Sequence, residues 1–219
     1  MTDHQDIRKI IHGSRHDFSS ETLAEGAALA DPFRQFELWI GEAFEKGLHE
    51  PNAMVLSTVA ASGRPSSRVV LMRDFDQNGF IFYTNYDSRK AVEIEENPHA
   101  ALLFYWADLA KQVRIEGTVK KVPAENSDAY FASRPRENQI GALASAQSSV
   151  ISGREELEEK YSTLGAEFAD REIPRPENWG GYILAPVVFE FWQGRQSRLH
   201  DRLRYTKTDA EWQIERLAP

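Results

Sequence analysis

The chain has no cysteine. That absence excludes disulfides, thiolate nucleophiles, cysteine zinc sites and iron–sulfur clusters together, and it accords with a reducing compartment. Long apolar runs are missing as well: the longest, Ala100 to Ala107, is far too short to span a bilayer. The opening Met-Thr-Asp-His-Gln-Asp-Ile lacks the basic and then apolar order of a signal peptide, so a cytoplasmic protein without membrane contact is expected. Glycine-rich phosphate loops are also absent, since neither G-x-G-x-x-G nor G-x-x-x-x-G-K-[ST] occurs. No Ser-His-Asp ordering and no cleft with paired carboxylates can be argued. Positive charge is in deficit, with 26 Lys and Arg against 34 Asp and Glu for a net charge of -8. Such a field repels nucleic acid and anionic membranes, and neither is expected as a partner.

What is present is enough apolar material for a substantial core. Of 219 residues, 41% are hydrophobic and 11% aromatic, which suits a single domain over 31–219 behind a polar N-terminal segment, 1–30. That segment is expected either to be mobile or to cover the site. His12 and His16 are four apart, but Gly13 and Ser14 lie between them with no third ligand near, so no metal site is expected. Despite the acidic total, basic residues cluster at Arg64, Arg68 and Arg73, at Arg89-Lys90, at Lys111 and Arg114, at Arg134 and Arg136, and from Arg195 to Arg204. Positive pockets in an acidic protein point to small anions, phosphates above all.

Asp31-Pro32 reads as an N-cap followed by proline at the first helical position, and Phe33, Phe36, Ile40, Ala43 and Phe44 recur at helical spacing. From Ala53 the period becomes two. Strands are expected over Ala53–Ala60, Ser66–Phe75 and Phe80–Asn85 as an antiparallel meander, with Ser88 capping a helix that Pro98 stops. Arg89 and Lys90 in the first turn of that helix oppose its dipole unless an anion binds there. Further strands follow at Ala100–Trp106, buried on both faces, and Gln112–Val122; helices at Pro123–Ala132 and after Pro135; a helix capped by Ser152 and Glu155; and strands over Gly181–Trp192, Arg202–Thr206 and Trp212–Leu217. Seven or eight mostly antiparallel strands with helices outside them favour a small barrel, mainly β with added α-helices, over a doubly wound sheet.

The stretch from Val187 to Arg204 is the most charged in chemistry. After Gly194, Arg198, His200, Arg202 and Arg204 fall at every second position, and an extended backbone would align three guanidiniums and an imidazole on one face. Asp201 and Glu190 are expected to point elsewhere, so an anion is expected to hold this face.

Several segments together resemble the pyridoxine (pyridoxamine) 5'-phosphate oxidase family. They are Arg68-Val-Val-Leu-Met-Arg73, Phe82-Tyr-Thr-Asn85, Ser88-Arg-Lys90, Tyr130-Phe-Ala-Ser-Arg-Pro-Arg136, Gln139-Ile-Gly141, Gln147-Ser-Ser149, Trp179-Gly-Gly181, Phe191-Trp-Gln-Gly194 and Arg198-Leu-His-Asp-Arg202. The resemblance runs in order from about Asp31 to the C-terminus. It implies an FMN-binding split β-barrel, a homodimer with FMN at the subunit interface. It implies oxidation of pyridoxine and pyridoxamine 5'-phosphates to pyridoxal 5'-phosphate, by hydride transfer from the substrate to the flavin and reduction of O2 to H2O2. Related oxidases of other aromatic substrates, of the phenazine-biosynthesis type, and non-catalytic flavin-binding modules are the alternatives. By the resemblance, Arg68, Val69, Val70, Leu71, Met72, Arg73, Tyr83, Thr84, Arg89, Lys90, Gln112, Gln147, Ser148, Trp192 and Arg202 would surround FMN. Arg73, Tyr130, Arg134 and Asn138 would hold the substrate phosphate, and Arg198 and His200 would be catalytic at the substrate ring. The family usually has lysine at Arg73 and often serine at Asn138, and it follows Arg15-His-Asp-Phe18 only loosely. Arg68 and Arg73 are five apart and face opposite ways on a regular strand, so sharing a ligand requires a bulge, a strand end or a second subunit.

Overall fold

The computed structural model describes Phe18, residues 21–209 and residues 211–219. The His12 and His16 pair and the segment 15–17 lie outside them. Helix α1, Pro32–Glu45, starts as its sequence requires: the Asp31 carboxylate accepts the Phe33 N–H at 2.9 Å and Pro32 sits at the first position. Its buried stripe is Phe33, Phe36, Trp39, Ile40 and Ala43, while Phe44 turns out to solvent. Phe36 is fully buried, with its ring 5.0 Å from Phe80 and 4.9 Å from Phe104. Truncating such a ring to alanine costs about 3–5 kcal/mol.

The strands are β1 (Ala53–Val59), β2 (Pro65–Leu71), β3 (Asp74–Asp76), β4 (Gly79–Asn85), β5 (His99–Trp106), β6 (Lys111–Lys121), β7 (Trp179–Gln193), β8 (Asp201–Lys207) and β9 (Trp212–Arg216). They form one antiparallel sheet in the order β2-β1-β5-β6-β7-β4-β3, with β8 and β9 added beside β7. The expected meander therefore holds only as the hairpins β1–β2 and β3–β4, because β4 pairs with β7 instead of β2. The single long strand Ser66–Phe75 is two strands, broken at Met72 and Arg73.

Strand β7 makes the split. Its first half, Trp179 to Leu184, pairs with β4; its second half, Val188 to Gln193, pairs with β8; β6 runs beside both. Between the halves the register shifts opposite Glu116 and Gly117, where Pro186 supplies no N–H and Val187 stands out, half exposed. Strand β5 alternates buried and open residues, so it is covered on one face only, against the expectation of two. Helices α2 (Arg89–Glu96), α3 (Ala124–Ser133), α4 (Arg136–Ala144) and α5 (Arg154–Glu167) lie outside the sheet. Helix α5 follows Gly153 and not a capping Ser152: the Ser152 N–H and hydroxyl both bond Glu156, and no residue of the helix is buried. A second apolar cluster, Phe131, Ile140, Ile173 and Trp179, packs α3 and α4 onto the start of β7. Ahead of α1, Leu23 is buried with its N–H on Asp201 at 3.0 Å, and Glu25 pairs with Arg216.

Candidate active site

Two adjoining cavities open beside β2, β4 and the start of α2. A cationic cavity of about 560 Å³ is lined by Ser66 to Leu71, Arg73, Tyr83, Thr84, Arg89, Lys90, Gln147 and Ser148. An aromatic cavity of about 360 Å³ is lined by Tyr130, Arg134, Asn138 and Trp179 and by Arg73, Tyr83, Thr84 and Gln147, which belong to both. Arg68 and Arg73 meet there because β2 ends. The Met72 N–H bonds Asn52 O at 2.9 Å and the Arg73 N–H bonds Ile81 O at 2.8 Å, so the chain has crossed to the edge of β4. Met72 itself is buried in the core and lines neither cavity.

Behind the lining of the cationic cavity the organising group is Glu93, a buried carboxylate four residues on from Arg89. It accepts hydrogen bonds from Thr58 and Ser66 at 2.5 Å each, from Arg89 Nε at 2.8 Å and from Arg68 Nη2 at 3.2 Å. Burial alone would raise its pKa, but the bonds from Ser66, Thr58, Arg89 and Arg68 outweigh that and hold it down to about 2. Sequence reasoning passed over Glu93, although its i, i+4 spacing from Arg89 on a predicted helix was the signal. Lys90 is buried too, yet its ammonium donates to three neutral oxygens: Gln147 Oε1 at 3.0 Å, Thr84 Oγ1 at 3.1 Å and Ser88 Oγ at 3.3 Å. Burial, with Arg68 adding to it, lowers its pKa to about 8. Ser148, in the left-handed region at φ 74°, closes the rim by accepting the Arg89 N–H at 3.2 Å.

The aromatic cavity is walled by near-parallel rings. Tyr83 stacks on Tyr130 at 3.9 Å and 14°, and on Trp179 at 5.5 Å and 11°. Glycine at 181 makes room for this, since a Cβ there would come within 2.8 Å of the Tyr83 ring. The Arg134 guanidinium lies 4.7 Å from the Trp179 ring centre, and its Nη1 is buried without a hydrogen-bond partner. Burial lowers the Arg134 pKa, Tyr130 raises it and Arg73 lowers it further.

Residues 40–165 match the family model described as pyridoxamine 5'-phosphate oxidase, and residues 179–219 match the pyridoxine 5'-phosphate oxidase C-terminal dimerisation region. The chain is 52% identical over 212 residues to the pyridoxine/pyridoxamine 5'-phosphate oxidase of Rubrobacter xylanophilus, covering 97% of this chain and 98% of that one. The chain belongs to the pyridoxamine 5'-phosphate oxidase family. The oxidase of the same name from Salinibacter ruber is also 52% identical, over 94% of this chain and 97% of its own. Among solved structures, PhzG from Burkholderia lata in complex with tetrahydrophenazine-1-carboxylic acid superposes with a TM-score of 0.86 at 31% identity, covering 91% of this chain and 98% of that one. A pyridoxamine 5'-phosphate oxidase-related, FMN binding protein from Nostoc punctiforme shares the fold, with a TM-score of 0.69 at 20% identity over 86% of this chain and 98% of that one. The split barrel with outer helices expected from the sequence is the fold observed.

Besides Met72, five of the expected site positions line neither cavity. Gln112, Trp192 and Arg202 form one row across β6, β7 and β8, and Arg198 and His200 occupy the loop between β7 and β8. This loop is not extended as the alternation suggested. Gln196–Arg198 form a 3-10 turn in which Ser197 (φ 57°) and Arg198 (φ 61°) are both left-handed, so Arg198 and His200 leave the face of Arg202 and Arg204. Nor does that face lack counter-charge. Glu190, expected to point away, binds Arg202 Nε at 3.0 Å and Arg114 Nη1 at 3.2 Å, and Arg204 pairs with Glu215 at 2.7 Å. The rows hold alternating charge because cross-strand neighbours share a face. His200 sits 4.8 Å from Trp192 and 5.4 Å from Phe18, ring centre to ring centre, and its Nδ1 accepts the Arg195 N–H at 3.0 Å. Its pKa is lowered by burial and by Arg198. No helix among the described residues is long and apolar enough to cross a membrane.

Proposed function

We propose that the chain oxidises pyridoxine 5'-phosphate and pyridoxamine 5'-phosphate to pyridoxal 5'-phosphate, with FMN as cofactor and O2 reduced to H2O2. The observation that carries this is the pair of adjoining cavities, each holding a cation with no hydrogen-bonded carboxylate: Lys90 in one and Arg134 in the other. Two phosphates, one from a cofactor and one from a substrate, answer that arrangement.

The cationic cavity fits FMN. A buried ammonium held only by neutral oxygens is stabilised by an anion, and Arg68 and Arg89 line the same cavity at the start of α2. Arg68, Arg89 and Lys90 would hold the phosphate, with Val69 to Leu71, Tyr83, Thr84, Gln147 and Ser148 flanking the rest. When bound, FMN supplies the hydride acceptor and the means of passing electrons to O2. Arg73, Tyr130, Arg134 and Asn138 would fix the substrate phosphate, which orients the ring and its C4' carbon. The match to a dimerisation region supports a homodimer, in which Gln112, Trp192, Arg198, His200 and Arg202 of a second copy would complete the cavities.

His200 takes the role of hydrogen-bond donor in this reading. Its Nδ1 is occupied by the Arg195 N–H, and its lowered pKa leaves the ring neutral at pH 7, with the proton on Nε2. A ring so held gives a hydrogen bond to substrate and does not accept the substrate's proton through Nε2.

The test is an assay of the purified protein with added FMN on both phosphorylated vitamers, following pyridoxal 5'-phosphate and H2O2 together. Formation of both products is expected. Failure to take up FMN would overturn the cofactor, and turnover of a reduced phenazine carboxylate without turnover of either vitamer would put the chain with its 31% identical structural relative instead.

A further inference from the structure

Arg134 is held in an unusual way for a cation in a ligand cavity. Among the described residues no carboxylate reaches its side chain; its guanidinium rests 4.7 Å from the Trp179 ring centre and 5.6 Å from that of Phe131. Its Nη1 is shut from water with no hydrogen-bond acceptor among the described residues, so the electron-rich faces of these rings are what the guanidinium rests on. Trp179 is itself tightly fixed. Its carbonyl accepts Arg175 Nη1 at 2.6 Å, Arg175 Nε is bonded to Asp128 at 2.6 Å, and Phe131 packs edge-on against the indole at 5.2 Å. Glycine follows at 180, where a Cβ would come within 2.2 Å of the Tyr86 hydroxyl, so the backbone beside the indole is packed too closely for any side chain.

We propose that Trp179 is a positioning residue for substrate-phosphate recognition: its indole face holds the Arg134 guanidinium in the cavity without neutralising it. A carboxylate would hold the arginine as firmly but would take up its charge, as Glu93 does for Arg68 and Arg89. Glu137 lines the same cavity, and an arginine released from the indole has that carboxylate within the same space. The platform keeps the cation charged, aimed and unpaired until a ligand arrives. This inference rests on the reading of the aromatic cavity as the seat of the substrate phosphate.

The experiment measures calorimetric affinity of the FMN-loaded protein for 4-deoxypyridoxine 5'-phosphate, whose C4' methyl cannot be oxidised, and for 4-deoxypyridoxine, which lacks the phosphate. Trp179→Leu is expected to weaken the phosphorylated probe about tenfold and the unphosphorylated probe less than about twofold; Trp179→Phe, which keeps an aromatic face, is expected to lose about threefold on the phosphorylated probe alone. In an Arg134→Met background Trp179→Leu is expected to add nothing. Equal weakening of both probes, no weakening of either, or full additivity in the double variant would overturn the proposal. Should Trp179→Leu fail to fold, Trp179→Phe decides by the same comparison. A wild-type protein with no preference for the phosphorylated probe would instead refute the phosphate seat itself.

Discussion

In the proposed function the two cavities each hold an anion, and they are built for it with opposite chemistry. In the cationic cavity Arg68 and Arg89 share the buried carboxylate of Glu93, while the buried Lys90 has neutral hydrogen-bond partners. In the aromatic cavity Arg134 meets no carboxylate and lies on a tryptophan. A carboxylate network makes a rigid cradle whose cations are partly balanced before the ligand binds, which suits a cofactor that stays. An aromatic platform leaves its cation underbalanced, which favours an anion that arrives with substrate and departs with product. The shared wall of Arg73, Tyr83, Thr84 and Gln147 couples the two.

The largest effect should come from removing the buried cation of the cradle, Lys90, whose hydrogen bonds all go to neutral oxygens. Lys90→Met is expected to weaken FMN about a hundredfold, since a charge-assisted hydrogen bond is worth about 1.5–3 kcal/mol and the buried site cannot admit a replacement charge. Fluorescence titration of FMN into apoprotein measures it. A change under about threefold would mean that Arg68 and Arg89 carry the phosphate despite Glu93, and the contrast between the cavities would fail. Next in size, Arg134→Ala should lower kcat/KM for pyridoxine 5'-phosphate about thirtyfold while FMN affinity stays within about twofold. Loss of FMN in that variant would show that the cavities are one site.

The sequence carried the two halves of this comparison unequally. Arg89 and Lys90 were visible as cations at a helix start, and Arg134 as a cation ahead of Pro135, because caps and prolines are local signals. What each cation rests on was not visible. The Thr58 and Ser66 bonds to Glu93 cross 35 and 27 residues of sequence, and Trp179 is 45 residues from Arg134, distances no local pattern spans. The alternation Arg198, His200, Arg202, Arg204 misled for the converse reason. Period two implies one face only while the backbone stays extended, and the left-handed pair Ser197–Arg198 interrupts it. Strand order escaped as well, since β4 finds β7 across about a hundred residues.

A third prediction uses the Lys90 pKa of about 8, against 10.5 for an unperturbed lysine. Between those values the unfolded chain holds a proton that the folded apoprotein has released, so this group makes stability rise with pH across that window; below pH 8 its cost is fully present. A bound phosphate stabilises the protonated form, so FMN affinity should fall as pH rises through 8, by about tenfold from pH 7 to pH 9. The phosphate is already largely dianionic above pH 7 and adds no slope of its own. Lys90→Arg, which stays charged, should flatten the profile. A flat wild-type profile would mean that the ammonium is not what meets the phosphate.

The smallest effect should fall at the shared wall. Arg73 carries the cation that both cavities border, and it is exposed. Arg73→Lys preserves charge and loses only the planar, bidentate fork. If Arg73 serves both ligands as a point charge, FMN affinity and the KM for pyridoxine 5'-phosphate should each move by about threefold or less, and in the same direction. A change confined to KM would assign Arg73 to the substrate alone, and one confined to FMN would assign it to the cradle. A tenfold loss in either would show that the fork, and not the charge, is what this chain uses at the wall between the two cavities.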